Sequence, residues 1–163
     1  MSFGTETTER LMRRAIEIAA AARAAGNHPF GALLADVDGT VLLEAQNTVV
    51  TGRDATGHAE TNLVRRASAV FTAEQLARTT LVTSTEPCAM CSGAVYWAKI
   101  GAVAFGLPEE RLRAMTGDDP ANPTLDLACR AVFAAGSHAV TVEGPVLADE
   151  AAAVHEGFWH PRD

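Results

Sequence analysis

Two short stretches constrain this chain more than any other part of it: His58-Ala59-Glu60 and Pro87-Cys88-Ala89-Met90-Cys91. Cys88 and Cys91 stand three apart, so a helix puts them on one face. Pro87 suits the first position of such a helix, where its missing N–H costs nothing. Both sulfurs then lie in or near the first turn. Unpaired backbone N–H groups and the positive end of the helix dipole favour thiolate over thiol there. Zinc takes imidazole nitrogen and thiolate sulfur in a tetrahedron, and His58 is the obvious third ligand. No fourth Cys or His stands at a comparable spacing. Three protein ligands leave one corner for water, whereas a structural site would be closed.

Glu60 carries the reading further. In the middle of a helix, residues two apart point to roughly opposite sides. His58 and Glu60 can face one cavity only at a helix end. The stretch Thr51 to Gly57 is loop-like, and Ala59 to Arg66 continues as a helix. Zinc lowers the pKa of bound water towards neutrality, and a carboxylate beside that water can take its proton and later deliver it to a leaving group. The competing reading is a core histidine plus a redox or structural C-x-x-C pair.

H-x-E followed by P-C-x-x-C is the signature of the zinc deaminases. The chain resembles the cytidine deaminase superfamily, most of all the guanine and free-nucleobase deaminases and the tRNA adenosine deaminases. The resemblance runs from Arg10 to Val142. Its strongest parts are Pro29-Phe30-Gly31-Ala32, Asn47, His58-Ala59-Glu60 and Glu86 to Ala94. A common form of the family has Pro and Ala where this chain has Ala55 and Gly57, which predicts a more flexible approach to His58.

The chain has 163 residues, which fits one domain, 1–163, with a sizeable core. Hydrophobic content is 48%, typical of a globular protein. No apolar run approaches the length needed to span a bilayer. The N-terminus lacks the order of a signal peptide, and Glu6, Glu9 and Glu17 argue against a transit peptide. The expectation is a cytoplasmic protein with no membrane partner. Three cysteines, two of them assigned to zinc, leave no disulfide framework. Cys129 reads as a small core residue. The formal net charge of −7 argues against nucleic acid as a partner and for a small neutral substrate. The pairs Arg65-Arg66 and Arg111 with Arg113 read as solvated faces.

Helical spacing of Leu11, Ala15, Ile18, Ala19 and Ala22 predicts a first helix over 7–25. Gly31 to Asp36 and Val41 to Ala45 form a hairpin across Asp38-Gly39. A strand over 79–84, the cysteine helix over 87–99 and a strand over 102–105 follow as a strand–helix–strand unit between parallel strands. Helices are expected at 108–115, 125–135 and 149–158, with a last strand at 139–142. The class is α/β: a three-layer α/β/α arrangement around a mixed sheet of about five strands. The resemblance implies the same cytidine-deaminase-like fold, with the two zinc-bearing helix N-termini meeting at the metal.

The resemblance also implies one zinc per chain and hydrolytic deamination of a free nucleobase, with guanine first. Cytosine, an aminotriazine and tRNA adenosine are alternatives, and a zinc-stabilised structural module is the non-enzymatic one. Phe30 is either pocket wall or core. Asn47 is a substrate contact or a turn residue; its amide offers both donor and acceptor to a base edge. Glu86 could accept from an amino group or cap a helix. Trp97 in Tyr96-Trp97-Ala98 matches the guanine-deaminase-like pattern but reads first as core or interface. Asp118, Asp119 and Glu143 could bond an exocyclic amine, although a loop Asp is more simply a solvated carboxylate. Most of His28, His138, His155 and His160 read as surface or turn residues, with His155 and His160 also offered as contacts of a tail segment over the pocket. The aromatic tail Phe158-Trp159-His160-Pro161 implies, by the same resemblance, a segment that covers the pocket, with Trp159 at the substrate, in a homodimer that can exchange it.

Overall fold

The computed structural model describes residues 3–117, 119–120 and 122–159. Along the chain run α1 (Thr5–Ala24), β1 (Gly31–Ala35), β2 (Val41–Gln46), α2 (Val49–Gly52), α3 (Ala59–Val70), α4 (Ala73–Leu76) and β3 (Thr80–Thr85). Then follow α5 (Ala89–Trp97), β4 (Ala102–Leu107), α6 (Glu109–Thr116), α7 (Cys129–Ala134), β5 (Thr141–Glu143) and α8 (Ala148–Ala153). The sheet order is β2-β1-β3-β4-β5. β1 is antiparallel to both β2 and β3, while β3, β4 and β5 run parallel. The sheet is therefore mixed, as the hairpin followed by strand–helix–strand units requires.

Helices cover both faces of the sheet. On one face Leu11, Met12, Ala15 and Ile18 of α1 pack on Leu33, Ala35, Val82 and Ala104. On the other, Leu63, Val64 and Ala67 of α3 and Val95 of α5 pack on Ala32, Leu34, Leu81, Val103 and Phe105. Alternate strand residues thus serve opposite cores. This explains why β1, β3 and β4 are buried throughout and read as continuous apolar runs. A third cluster joins Leu107, Leu112 of α6 and Ala151 and Ala152 of α8. Gly31 lets α1 come close: a Cβ there would lie 2.4 Å from the Ala19 nitrogen. Among the described residues, no helix is long and apolar enough to cross a membrane.

Two expectations shift. The helix predicted over 125–135 begins only at Cys129. Its first N–H donates to the buried Glu86 carboxylate, 3.0 Å away, and that partner lies where the sequence pattern could not place it. Leu125 and Leu127, inside the expected range, are exposed instead. Likewise α8 stops at Ala153, and the turns that follow it carry the aromatic residues.

Candidate zinc centre and pocket

His58 is the N-cap of α3, with an extended backbone, and Glu60 lies in that helix's first turn. Cys88 is the N-cap of α5, with Cys91 one turn on. The two helices pack side by side, so their N-terminal ends converge. His58 Nδ1 lies 3.6 Å from Cys88 Sγ and 3.5 Å from Cys91 Sγ, and the three ligand atoms all fall within 4.8 Å of one another. Zn–S and Zn–N bonds of about 2.3 and 2.0 Å in a tetrahedron demand N···S edges of about 3.6 Å. The residues present fit the ion. Without it, the hydrogen bond from Cys91, joined by His58, holds Cys88 well below the ordinary thiol range. Cys91, which keeps the proton, is pushed up by Cys88 and by burial.

The approach to His58 is pinned rather than loose. Asp54 Oδ1 accepts from both the N–H and the hydroxyl of Thr56. Asn62 Nδ2 donates to Thr48 Oγ1 at 2.9 Å, and the Thr48 N–H donates to the Gly57 carbonyl at 2.8 Å. Polar side chains thus replace the stiffness that a proline would supply.

Glu60 is 4% exposed. Thr83 Oγ1 of β3 donates to its Oε1 at 2.8 Å, leaving Oε2 directed at the metal corner, 3.5 Å from Cys91 Sγ. Burial pushes its carboxyl up, against the pull of His58. A carboxyl raised in this way is suited to hold a proton and give it back. Phe30, Thr85, Glu86 and Cys88 line a small cleft beside it. Glu109, Leu112, Asn122, Pro123 and Leu125 complete the wall. The roomier groove between α1, β2 and α3 holds paired charges such as Arg14 with Glu44 and lies away from the zinc ligands.

The sequence profile of the cytidine and deoxycytidylate deaminase zinc-binding region matches residues 5–107. The chain belongs to this deaminase family. A probable cytosine deaminase of Schizosaccharomyces pombe is 42% identical over 158 residues, which is 95% of this chain and 96% of that one. Guanine deaminase of Bacillus subtilis is 44% identical over 98 residues, 60% of this chain and 62% of its own. A solved guanine deaminase from Nitrosomonas europaea superposes with a TM-score of 0.76 at 28% identity, covering 92% of this chain and 83% of that one.

Around this deaminase centre the other expected residues fall in different places. Phe30 lies on the pocket wall, edge-on to His155 at 5.2 Å between ring centres. Asn47 is buried, its N–H on the Phe30 carbonyl and its Oδ1 accepting from Val49 N–H at 3.0 Å. Glu86 borders the cleft, but both of its oxygens are occupied: Oε1 accepts from Cys129 N–H and Oε2 from Glu109 N–H, each at 3.0 Å. It caps α6 and α7, not its own helix. Trp97 is 81% exposed at the far end of α5. Nine residues past Cys88 is about 13 Å along the helix, too far for this side chain to line the cleft. Glu143 ends β5 beside Ala104, off the cleft lining. Asp118 lies outside the described residues, as does His160. Asp119 is buried, not solvated, and its charge reaches His28. Trp159 is 7% exposed and packs on His28, Phe30 and His155 of its own chain. Through Trp159, then, the C-terminal segment packs against the residues that lead into β1. His155, offered as a surface residue or a tail contact, is 1% exposed and packs on Trp159.

Sequence reasoning missed Thr83, Thr85 and Glu109. Thr83 read only as a β-branched strand former, and Thr85 fell just past the strand expected at 79–84. Glu109 fell unremarked inside the helix expected at 108–115, yet burial, with the Cys88 and Glu86 charges behind it, raises it to about 7.

Proposed function

We propose that the chain hydrolytically deaminates a free nucleobase, guanine to xanthine and ammonia being the first candidate. The observation that carries this is the three-ligand cluster of His58, Cys88 and Cys91, open on the side where Glu60 Oε2 stands. Bound there, zinc supplies an acidified water as nucleophile. Glu60 accepts a first proton at Oε2 and passes it to the ring nitrogen. It then takes the second from the hydroxyl added to the ring carbon and gives it to the amine, which leaves as ammonia as the C–N bond breaks and the carbonyl forms. Thr83 keeps the other oxygen fixed meanwhile. Phe30 offers a ring face to the base, and the family resemblance gives Asn47 Nδ2 the base edge, Oδ1 being already spent on Val49. Family likeness to guanine deaminases in sequence and in fold supports guanine.

Cytosine is the second reading, because the likeness to the probable cytosine deaminase spans nearly both chains. The net charge of −7 supports a small base over tRNA. We infer a cytoplasmic homodimer, with exposed Met90 and Trp97 of α5 available to a second copy. An ammonia-release panel over guanine, cytosine, adenine, aminotriazines, their nucleosides and a tRNA anticodon stem-loop tests the assignment. Turnover of a free base is expected; release only from the stem-loop, or from nothing, overturns it.

A further inference from the structure

The C-terminal turn reaches the catalytic cleft through a chain of hydrogen bonds whose direction is set by elementary chemistry. Indole nitrogen only donates. Trp159 Nε1 donates to His155 Nδ1 at 3.1 Å, so Nδ1 of the neutral ring must be the acceptor and the ring proton must sit on Nε2. That nitrogen faces Thr85 Oγ1 at 3.5 Å. The Thr85 oxygen therefore receives, and its own single proton is left to donate elsewhere. Among the described residues it has no other side-chain partner. Thr85 ends β3 and lines the cleft with Glu60 and Phe30. It lies two residues beyond Thr83, hence on the same face of the strand as the hydroxyl that holds Glu60.

We propose that Thr85 is a substrate-contacting hydrogen-bond donor, aimed into the cleft by the Trp159–His155 pair, which takes an acceptor atom of the base, a ring nitrogen or carbonyl oxygen, on the edge beside Glu60. Thr85 touches the substrate; His155 and Trp159 are positioning residues that act through it. Burial keeps His155 neutral, lowered to about 4, so the relay holds its direction across the neutral range. The side-on contact of Phe30 with the His155 ring, at 5.2 Å, ties the pocket wall to the same unit.

The inference rests on the deaminase reading, and the experiment separates the two. The zinc-loaded full chain is assayed on whichever base the wild type deaminates; a wild type inert on every base defeats that reading. With an active wild type, Thr85→Val is expected to lower kcat/KM by about 10-fold, and Thr85→Ser to recover it to within about twofold. Trp159→Phe, which keeps a ring but removes the N–H, is expected to cost about threefold alone and almost nothing in the Thr85→Val background. Nitrogen-15 NMR of the labelled histidines should show His155 with a bare Nδ1 and a protonated Nε2, whatever the activity. A proton on Nδ1, wild-type kinetics in Thr85→Val, or losses that simply multiply in the double variant would each overturn the proposal. If Thr85→Val fails to fold, the Trp159→Phe kinetics and the tautomer still decide.

Discussion

At the residue scale, the two acidic side chains beside the metal corner have opposite jobs, and each gives a different variant phenotype. Glu60 spends one oxygen on Thr83 and keeps the other for chemistry. Glu60→Gln preserves size and the Thr83 contact but cannot accept a proton. We expect it to retain stoichiometric zinc by elemental analysis while kcat falls at least about 10³-fold; near-normal turnover with zinc in place would remove Glu60 from the mechanism. Glu86 spends both oxygens on the first N–H groups of α6 and α7, and it is 8% exposed. Glu86→Ala should therefore cost about 3 kcal/mol and lower the melting temperature by roughly 6–12 °C. A scan that overlays the wild type would refute that capping role. The sequence revealed Glu60 because its spacing from His58 has a single geometric meaning at a helix start. It left Glu86 open between substrate contact and capping of its own helix. Its true partners, Glu109 and Cys129, lie 23 and 43 residues further on, and no local pattern encodes that distance.

At the scale of elements, the hairpin, the cysteine helix and its flanking strands were legible because period, turn chemistry and the Pro87 start agree. The C-terminal region was not. Its aromatic residues suggested a lid but gave no sign of whose pocket it covers. In the structure the turn after α8 stacks its rings on the residues that lead into β1: Trp159 lies 5.4 Å from His28 and 6.2 Å from Phe30. Arg23 at the end of α1 adds two bonds, to the Val154 and Glu156 carbonyls, both at 2.8 Å. This clasp brings the first helix, the start of β1 and the last turn together behind the cleft. Trp159→Ala should then cost about 3 kcal/mol in stability by chemical denaturation and raise KM more than it lowers kcat, since it loosens the wall that carries Phe30. Native mass should not change. An oligomer that dissociates on this substitution alone would show the segment serving a partner instead.

At the scale of the whole molecule, the same clasp leaves a signature in the pH dependence of folding. His155 sits 1% exposed among apolar rings, and burial, followed by the Arg23 charge, lowers it from 6.5 to about 4. The unfolded chain therefore takes up this proton first as pH falls. The stability that the neutral imidazole contributes is complete above pH 6.5 and is lost as pH drops towards 4. The size of that loss is on the order of 3 kcal/mol. Glu109 works in the opposite sense: raised from 4.5 to about 7, it binds its proton sooner in the folded state, so it favours folding as pH falls across that window. The total curve blends both, and zinc loss at acid pH adds to it. The difference between wild type and His155→Gln isolates the histidine, because Glu109 and the metal ligands are common to both. Measured by denaturant unfolding in excess zinc from pH 7.5 to 4, the wild-type advantage should shrink by about one proton's worth of linkage, steepest below pH 6. A constant difference across the range would mean that His155 takes up its proton equally in the folded and unfolded chain, and that the C-terminal turn is open to water rather than locked behind the cleft.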